Sequence, residues 1–265
     1  MRRWIGVGMI AVLLFSLLSV LNVSAETREI FNVGDLYTTY AGQGSSENGA
    51  GNAEVAVVVI DEDGNRREIL FSDPQVEDTR NLSWAEFERL YPPDRDAEKI
   101  VHPIPELPII IDGIRYNPED ISQFDGQVLR FIEDERTERE GVLYAFTNRE
   151  GVEDYMKREW GWSEKNSSTS SAAVNAPNAV FSKYWRDAFY SGSRLDVSPG
   201  AALPNLSIVG FTDIISSLQI GPDTSTSIMY DLQNYTGDQL IKQRNQSSSV
   251  LIFMNDRISS IRTFN

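Results

Sequence analysis

The chain has 265 residues, 41% of them hydrophobic and 24% charged, and this ordinary globular composition excludes a fibrous or wholly disordered protein. It contains no cysteine and a single histidine, His102, which excludes disulfides, thiolate metal sites and multi-histidine metal sites and disfavours a Ser-His-Asp hydrolase. The net charge of −15 argues against nucleic-acid binding, which needs a basic surface, and the mean hydropathy of −0.31 argues against a polytopic membrane protein.

The first 25 residues have the pattern of a secretory signal peptide. Two arginines follow Met1, residues 4–23 are apolar and uncharged, and Val23-Ser24-Ala25 places small residues where a signal peptidase cleaves. We expect cleavage after Ala25, a mature chain that begins at Glu26, and a secreted protein without a membrane span. An uncleaved N-terminal anchor is the alternative, because the apolar run approaches the length that spans a bilayer.

The remaining chain divides by charge. Residues 26–163 carry nearly all of the negative charge, whereas the C-terminal part contains no glutamate and its charges balance. Residues 164–179 between them are mostly small and polar, which is typical of a flexible linker. The sequence therefore predicts two domains: an acidic α+β domain over 26–163 and a second domain over 180–265.

In the acidic part, β-branched runs at 54–60 and 66–71 predict two strands joined at Asp61-Glu62-Asp63-Gly64-Asn65. That string is similar to a calcium-binding loop, but glycine and glutamate are missing from the positions that an EF-hand requires, so we interpret it as a hairpin turn. Ser83 and Glu86 form a capping-box pattern before a helix over 82–90, and Pro92-Pro93 end it. Strands are predicted at 109–116, 127–132 and 142–147, and a helix at 148–160 with Thr147 and Glu150 in capping-box spacing.

We find no motif for catalysis in this part. Two of its many carboxylates could be paired as glycosidase residues, but such a choice has no specificity. The run Glu133-Asp134-Glu135 is interpreted as a solvated surface, and His102, between prolines in an extended loop, as a structural or exposed histidine. The sequence contains no nucleophile elbow, phosphate loop or dinucleotide fingerprint.

An internal repeat relates residues 181–220 to 226–264. Trp185 to Gly192 and Tyr230 to Gly237 both read aromatic-x-x-x-x-Tyr-x-Gly, and the hexapeptides 212–217 and 255–260 close the two copies. The aromatic residues and the glycine suit a folded hairpin, and two copies of about four strands predict two Greek keys in a β-sandwich. Each hexapeptide supplies carboxylate, carbonyl and hydroxyl oxygens, which are ligands for calcium rather than for soft metals.

Residues 181–265 resemble the βγ-crystallin family, in particular its secreted microbial members. The family motif is Asn/Asp-Asn/Asp-x-x-Ser/Thr-Ser, which the second hexapeptide matches fully, whereas the first has Thr212 at its first position. The resemblance implies two calcium sites built by both motifs. Each site would take a motif side chain, the carbonyl of the third motif residue, a fifth-position hydroxyl and a carbonyl that follows the first hairpin aromatic. The implied ligands are Arg186, Asp213, Ile214, Ser216, Asp231, Asp256, Arg257 and Ser259, with Arg257 binding through its backbone, and the sequence leaves open which carboxylate meets which hydroxyl.

The sequence thus predicts a secreted calcium-binding protein with an extracellular partner, not an enzyme. A toxin or protease-inhibitor-like protein on the same fold is the alternative, although inhibitory relatives are cysteine-rich and this chain is not. A hydrolase in the acidic domain is a third class.

Overall fold

A computed structural model describes residues 27–32, 53–73, 82–162 and 180–265. The predicted signal peptide, its cleavage site and the linker at 164–179 lie outside the described residues. The strands are β1 (Thr27–Asn32), β2 (Ala53–Ile60), β3 (Arg66–Asp73), β4 (Ile109–Ile111), β5 (Ile114–Tyr116), β6 (Arg130–Ile132), β7 (Leu143–Phe146), β8 (Ser182–Asp187), β9 (Ser191–Val197), β10 (Ala202–Leu203), β11 (Ser217–Gln219), β12 (Thr226–Tyr230), β13 (Gln239–Gln243), β14 (Ser247–Ser248) and β15 (Ser260–Phe264). The α-helices are α1 (Trp84–Leu90), α2 (Glu135–Glu140) and α3 (Arg149–Trp160), and short 3-10 helices span Ala97–Lys99, Pro118–Phe124, Ala188–Tyr190, Leu206–Val209 and Gln233–Tyr235. Within these ranges no helix combines the length and the apolar character needed to cross a membrane.

The two repeats form a sandwich of two interlocked Greek keys. One sheet contains the neighbouring strands β9, β8, β11 and β14, and the other contains β10, β15, β12 and β13. The third strand of each repeat therefore pairs in the sheet of the other repeat: β14 lies beside β11, and β10 lies beside β15. This arrangement confirms the Greek-key character predicted from the repeat.

Strands from the N-terminal half extend both sheets at equivalent edges. The second strand of the first repeat, β9, pairs antiparallel with β2, from Val57 opposite Val197 to Ile60 opposite Arg194. The second strand of the other repeat, β13, pairs parallel with β6. The sheets consequently contain seven and eight of the described strands. Because an unpaired edge strand exposes a row of backbone hydrogen-bonding groups, these additions protect two edges of the sandwich.

The core is shared between the two halves of the chain. One buried apolar cluster includes Val57 and Phe131 from the N-terminal half together with Leu195 and Met254 from the repeats. The ring of Phe131 stacks on that of Phe253, with 4.2 Å between the ring centroids. The sequence predicts two separate domains, but the described residues on both sides of the predicted linker share their sheets and their core. Composition around the linker carries no information on the edges at which distant strands pair.

Two local predictions are confirmed. Residues 61–65 form the turn between β2 and β3, where Asp61 accepts hydrogen bonds from the backbone N–H groups of Asp63 and Asn65. Helix α1 begins after Ser83, whose hydroxyl accepts from the Glu86 N–H while the Glu86 carboxylate accepts from the Ser83 N–H. Both motifs depend on contacts within five residues, which a sequence pattern describes well.

Two other local predictions are wrong. Residues 109–116 form a hairpin rather than one strand, because Asp112 and Gly113 adopt positive φ angles of 49° and 84° between β4 and β5. Helix α3 is capped by Asn148, which accepts from the Gly151 N–H, and not by Thr147. Thr147 instead donates its hydroxyl to the Asp112 carboxylate at 2.6 Å, a contact between distant segments that the local spacing did not indicate.

The acidic run at 133–135 is not a uniformly solvated surface. Glu133 is only 3% exposed, and its carboxylate accepts hydrogen bonds from the backbone N–H groups of Ile252 (3.1 Å) and Phe253 (2.8 Å). Asp134 caps α2 through its carboxylate, and Glu135 is exposed as predicted. Glu133 thus connects β6 to the second repeat, and it was misinterpreted because its partners lie about 120 residues away in the chain.

Candidate metal centre

The hairpins of the two repeats share one backbone conformation. Their central residues have positive φ angles close to 60°, and the glycines that follow have φ angles of 72° and 84°; these residues are Phe189, Tyr190 and Gly192 in the first repeat and Asn234, Tyr235 and Gly237 in the second. The last serine of each hexapeptide fixes the adjacent hairpin. Ser217 donates its hydroxyl to the Asp187 carbonyl at 2.6 Å, and Ser260 donates to the Leu232 carbonyl at 2.7 Å. The hairpins of the two sequence repeats therefore have the same backbone conformation and the same hydrogen bond to the last serine of a hexapeptide.

The two hexapeptides cross each other. The backbone N–H of Asp213 donates to the Ile258 carbonyl at 3.0 Å, and that of Asp256 donates to the Ile215 carbonyl at 3.1 Å. Asp213 and Asp256 both adopt the left-handed conformation, with φ angles of 54° and 53°. Each motif thus brings its aspartate beside the serine of the other motif.

The first candidate site, called site I, pairs Ser216 with Asp256, and the predicted carbonyl ligands Arg186 and Arg257 belong to the adjacent backbone. The Ser216 hydroxyl donates to Asp256 Oδ1 at 3.0 Å. The Ser216 N–H donates to the Trp185 carbonyl at 3.0 Å, which brings Arg186, the next residue, to the same place. Arg257 directly follows Asp256 in the chain. Site I therefore combines residues of both repeats.

The second candidate site, called site II, pairs Ser259 with Asp213, and the predicted carbonyl ligands Asp231 and Ile214 belong to the adjacent backbone. The Ser259 hydroxyl donates to Asp213 Oδ1 at 2.8 Å. The Ser259 N–H donates to the Tyr230 carbonyl at 2.8 Å, so that Asp231, the next residue, lies beside the pair. The four predicted side-chain ligands thus form two pairs, and the partner of each hydroxyl, which the sequence left open, is the aspartate of the opposite motif; the four carbonyl ligands stay predictions.

The oxygen atoms of these sites suit a hard cation. Each site brings one carboxylate and one hydroxyl together, with the predicted carbonyl ligands in the neighbouring backbone, and the aspartates of both sites are exposed to solvent. No cluster of three or more carboxylate, imidazole or thiolate side chains occurs among the residues that the structure describes, so a more highly charged metal centre is not found there. Thr212, the departure from the motif, has a buried hydroxyl without a hydrogen-bond partner in the described part of the chain.

A buried charged cluster adjoins both sites, because it joins the side chain of Asp231, a residue of site II, to that of Arg257, a residue of site I. The Asp231 carboxylate lies 2.9 Å from Arg257 Nη2 and accepts the Asp238 N–H at 2.7 Å. Burial and the neighbouring Asp238 raise the pKa of Asp231 to about 7, although Arg257 opposes that shift. The side chain of Asp238 is fully buried, and its Oδ1 lies 3.1 Å from His102 Nε2 and accepts the Leu129 N–H at 3.0 Å.

His102 is a structural histidine that bridges two carboxylates. Its Nδ1 lies 3.1 Å from Asp125 Oδ1, and its Nε2 lies 3.1 Å from Asp238 Oδ1. Burial by itself lowers the pKa of His102, but the hydrogen bonds and negative charges of Asp238 and Asp125 outweigh it, so the pKa is raised above its ordinary value. No local pattern indicates this contact, because His102 and Asp238 are 136 residues apart.

Comparison with solved structures finds βγ-crystallin domains. The aligned part is similar to a structure described as evolution of the eye lens βγ-crystallin domain fold (20% identity, 34% of this chain and 89% of that one, TM-score 0.30). It is also similar to a βγ-crystallin from Ciona intestinalis (19% identity, 31% and 96%, TM-score 0.28) and to a βγ-crystallin domain from Clostridium beijerinckii (19% identity, 32% and 97%, TM-score 0.28). No family model matches the chain, and no curated protein matches it. About a third of the chain is therefore similar to βγ-crystallin domains, at low overall TM-score.

Proposed function

We propose that this is a secreted, non-enzymatic calcium-binding protein in which calcium at sites I and II stabilises the paired Greek keys and so maintains an extracellular interaction surface. The observation that carries the proposal is the crossed pairing of Ser216 with Asp256 and of Ser259 with Asp213. The structure contains two symmetric hydroxyl–carboxylate pairs, each beside the backbone of a folded hairpin. These pairs match the ligands that the motif implies for a calcium site.

The donor set indicates modest affinity. Calcium takes six to eight oxygen ligands, and each site supplies about four, so water completes the coordination. One carboxylate per site places the dissociation constant on the order of 10⁻⁵ to 10⁻³ M, the range of sensor and extracellular modules. The net charge of −15 adds a favourable long-range potential for cations.

The crossed geometry explains how binding stabilises the fold. An ion at site I contacts Ser216 of one motif and Asp256 of the other, so it bridges two repeats that are separate in the unfolded chain. An ion that binds only the folded state adds about 2.7 kcal/mol per site at one hundred times its dissociation constant. Since the chain lacks cysteine, such ions take the place of the disulfides that stabilise many exported proteins.

Calorimetric titration with calcium, together with thermal unfolding in calcium and in chelator, tests the proposal. We expect two ions per chain, one ion for each of Ser216→Ala and Ser259→Ala, and none for the double variant. Ser207→Ala, an exposed serine outside both motifs, is the matched control and retains two. A melting temperature that is the same in millimolar calcium and in chelator would contradict the proposal.

A further inference from the structure

The two hairpins have the same backbone but different surroundings. Tyr235 in the second hairpin is 2% exposed, whereas its counterpart Tyr190 in the first is half-buried, and Phe189 at the tip of the first hairpin is 74% exposed where its counterpart Asn234 is half-buried. The glycine that ends the first hairpin, Gly192, is exposed, and its counterpart Gly237 is buried. Site I therefore takes a carbonyl from an open hairpin and site II from a covered one.

The covering element is residues 87–96, which we call the clamp. The backbone N–H of Gly237 donates to the Pro93 carbonyl at 2.9 Å. Arg95 donates to the Asn234 carbonyl at 3.1 Å, and the Thr236 hydroxyl donates to Asp96 at 3.3 Å. The clamp thus bonds to three residues of the hairpin, Asn234, Thr236 and Gly237, which restricts the freedom of the hairpin.

Aromatic packing adds to these hydrogen bonds. The ring of Tyr235 lies edge-on to the rings of Phe87 and Tyr91, with centroid distances of 5.0 and 5.3 Å. Such edge-to-face pairs contribute about 0.5–1.5 kcal/mol beyond the area that they bury. The clamp therefore contacts the hairpin through buried aromatic rings as well as through hydrogen bonds at the protein surface.

The charged cluster connects the same hairpin to a second part of the N-terminal half. Asp238 accepts from the Leu129 N–H and contacts His102, and its own N–H donates to the Asp231 carboxylate. The side chain of Asp231, the residue predicted to supply a carbonyl to site II, is therefore fixed by Asp238. Asp238 is in turn fixed by His102 and Leu129. Arg186, its counterpart at site I, has an exposed side chain whose ion pair, at 3.5 Å, is with the exposed Glu62.

We propose that the clamp preorganises site II, so that site II binds calcium more tightly than site I and calcium at site II in turn tightens the docking of the clamp. This inference rests on the proposed function and concerns how its two sites are regulated. A ligand that enters an already ordered site does not pay for ordering the hairpin. Thermodynamic linkage requires the effect to be reciprocal, with typical couplings of about 5- to 150-fold.

Single-site variants of the full chain make the two sites separately measurable. Ser216→Ala removes site I and leaves site II, and Ser259→Ala does the reverse. Each is combined with the clamp variant Arg95→Ala/Asp96→Ala, which removes two side-chain contacts to the hairpin at the surface and leaves the net charge unchanged. Arg115→Ala/Glu119→Ala is the matched control, a neutral double change at exposed positions outside the clamp.

We expect calcium to bind more tightly to Ser216→Ala than to Ser259→Ala. The clamp variant weakens binding about fivefold in the Ser216→Ala chain, at the low end of typical couplings, and leaves the Ser259→Ala chain unchanged. Hydrogen exchange gives an independent readout: calcium slows exchange of the Gly237 amide, which donates to Pro93, more than that of the Gly192 amide.

The outcomes separate the two proposals. If neither single-site variant binds calcium, the proposed function itself fails and this inference fails with it. If both single-site variants bind calcium, but the clamp variant changes the calcium affinity of both equally or of neither, calcium binding stands and the coupling is overturned. The same holds if the control variant has the same effect on affinity as the clamp variant. The coupling is supported if calcium slows hydrogen exchange of the Gly237 amide and if the clamp variant lowers calcium affinity only in the Ser216→Ala background.

Discussion

Replacing Glu133 with alanine should destabilise the protein far more than the same change at its neighbour Glu135. The Glu133 carboxylate is buried, accepts the backbone N–H groups of Ile252 and Phe253, and lies next to the buried Lys242, whose ammonium group donates to the Glu133 backbone carbonyl. The change would leave the buried Phe253 N–H and the half-buried Ile252 N–H without an acceptor and remove a negative charge that attracts the buried Lys242 ammonium. Glu135 is exposed and has no such role.

The expected cost follows from these contacts. Each buried N–H group left without an acceptor costs about 1–3 kcal/mol, and the lost carboxylate charge also weakens the attraction that Glu133 exerts on the buried Lys242 ammonium. Because these effects overlap at one site, we expect Glu133→Ala to lower the free energy of unfolding by about 3–5 kcal/mol. For a chain of this size each kcal/mol corresponds to about 2–4 °C, so the melting temperature falls by about 6–20 °C.

Equilibrium urea unfolding, followed by tryptophan fluorescence and by circular dichroism, measures the change. Glu133→Gln retains one acceptor oxygen and should fall between wild type and Glu133→Ala, whereas Glu135→Ala should stay within about 0.5 kcal/mol of wild type. Equal stability of Glu133→Ala and Glu135→Ala would refute the reasoning. It would mean that the N-terminal half and the second repeat do not share the buried contact described above.

Three further predictions follow from other contacts. The pKa of His102 is raised in the folded state, so its stabilising contribution is complete below the unfolded-state pKa near 6.5 and is lost as the pH rises through the folded-state pKa. Calorimetric unfolding in chelator should therefore show the free energy of unfolding falling between pH 6 and 9. The fall should be less steep in His102→Gln. Gly237→Ala should cost more than Gly64→Ala in urea unfolding, since both have a positive φ but the added Cβ overlaps the Asp231 carboxylate only at Gly237; equal costs would contradict this steric argument. Limited proteolysis should cut within 163–179, and the two fragments should stay associated on a sizing column in native buffer, because they share both sheets; separation into two monomeric species would contradict the shared core.

The sequence by itself determined those features that depend on neighbouring residues or on a repeat. The capping box of Ser83 and Glu86 and the turn at 61–65 involve contacts within a few residues, and both are present. The repeat predicted two corresponding hairpins and eight strands in two Greek keys, because an internal duplication gives two copies of one local conformation. The motif also named the four side chains that pair as Ser216 with Asp256 and Ser259 with Asp213, whereas their role as calcium ligands, like that of the four carbonyls, stays a prediction.

Only the tertiary structure decided how these parts combine. The crossing of the hexapeptides, which pairs Ser216 with Asp256 and Ser259 with Asp213, depends on which sheet receives the third strand of each repeat, and residue spacing does not encode that choice. The pairing of β2 with β9 and of β6 with β13 joins segments more than 100 residues apart, so the charge boundary near the linker was a poor guide to the core. Glu133 and His102 were misread or left unassigned for the same reason: the groups that bury them and satisfy their hydrogen bonds lie far away in the chain, and only the folded sheets bring them together.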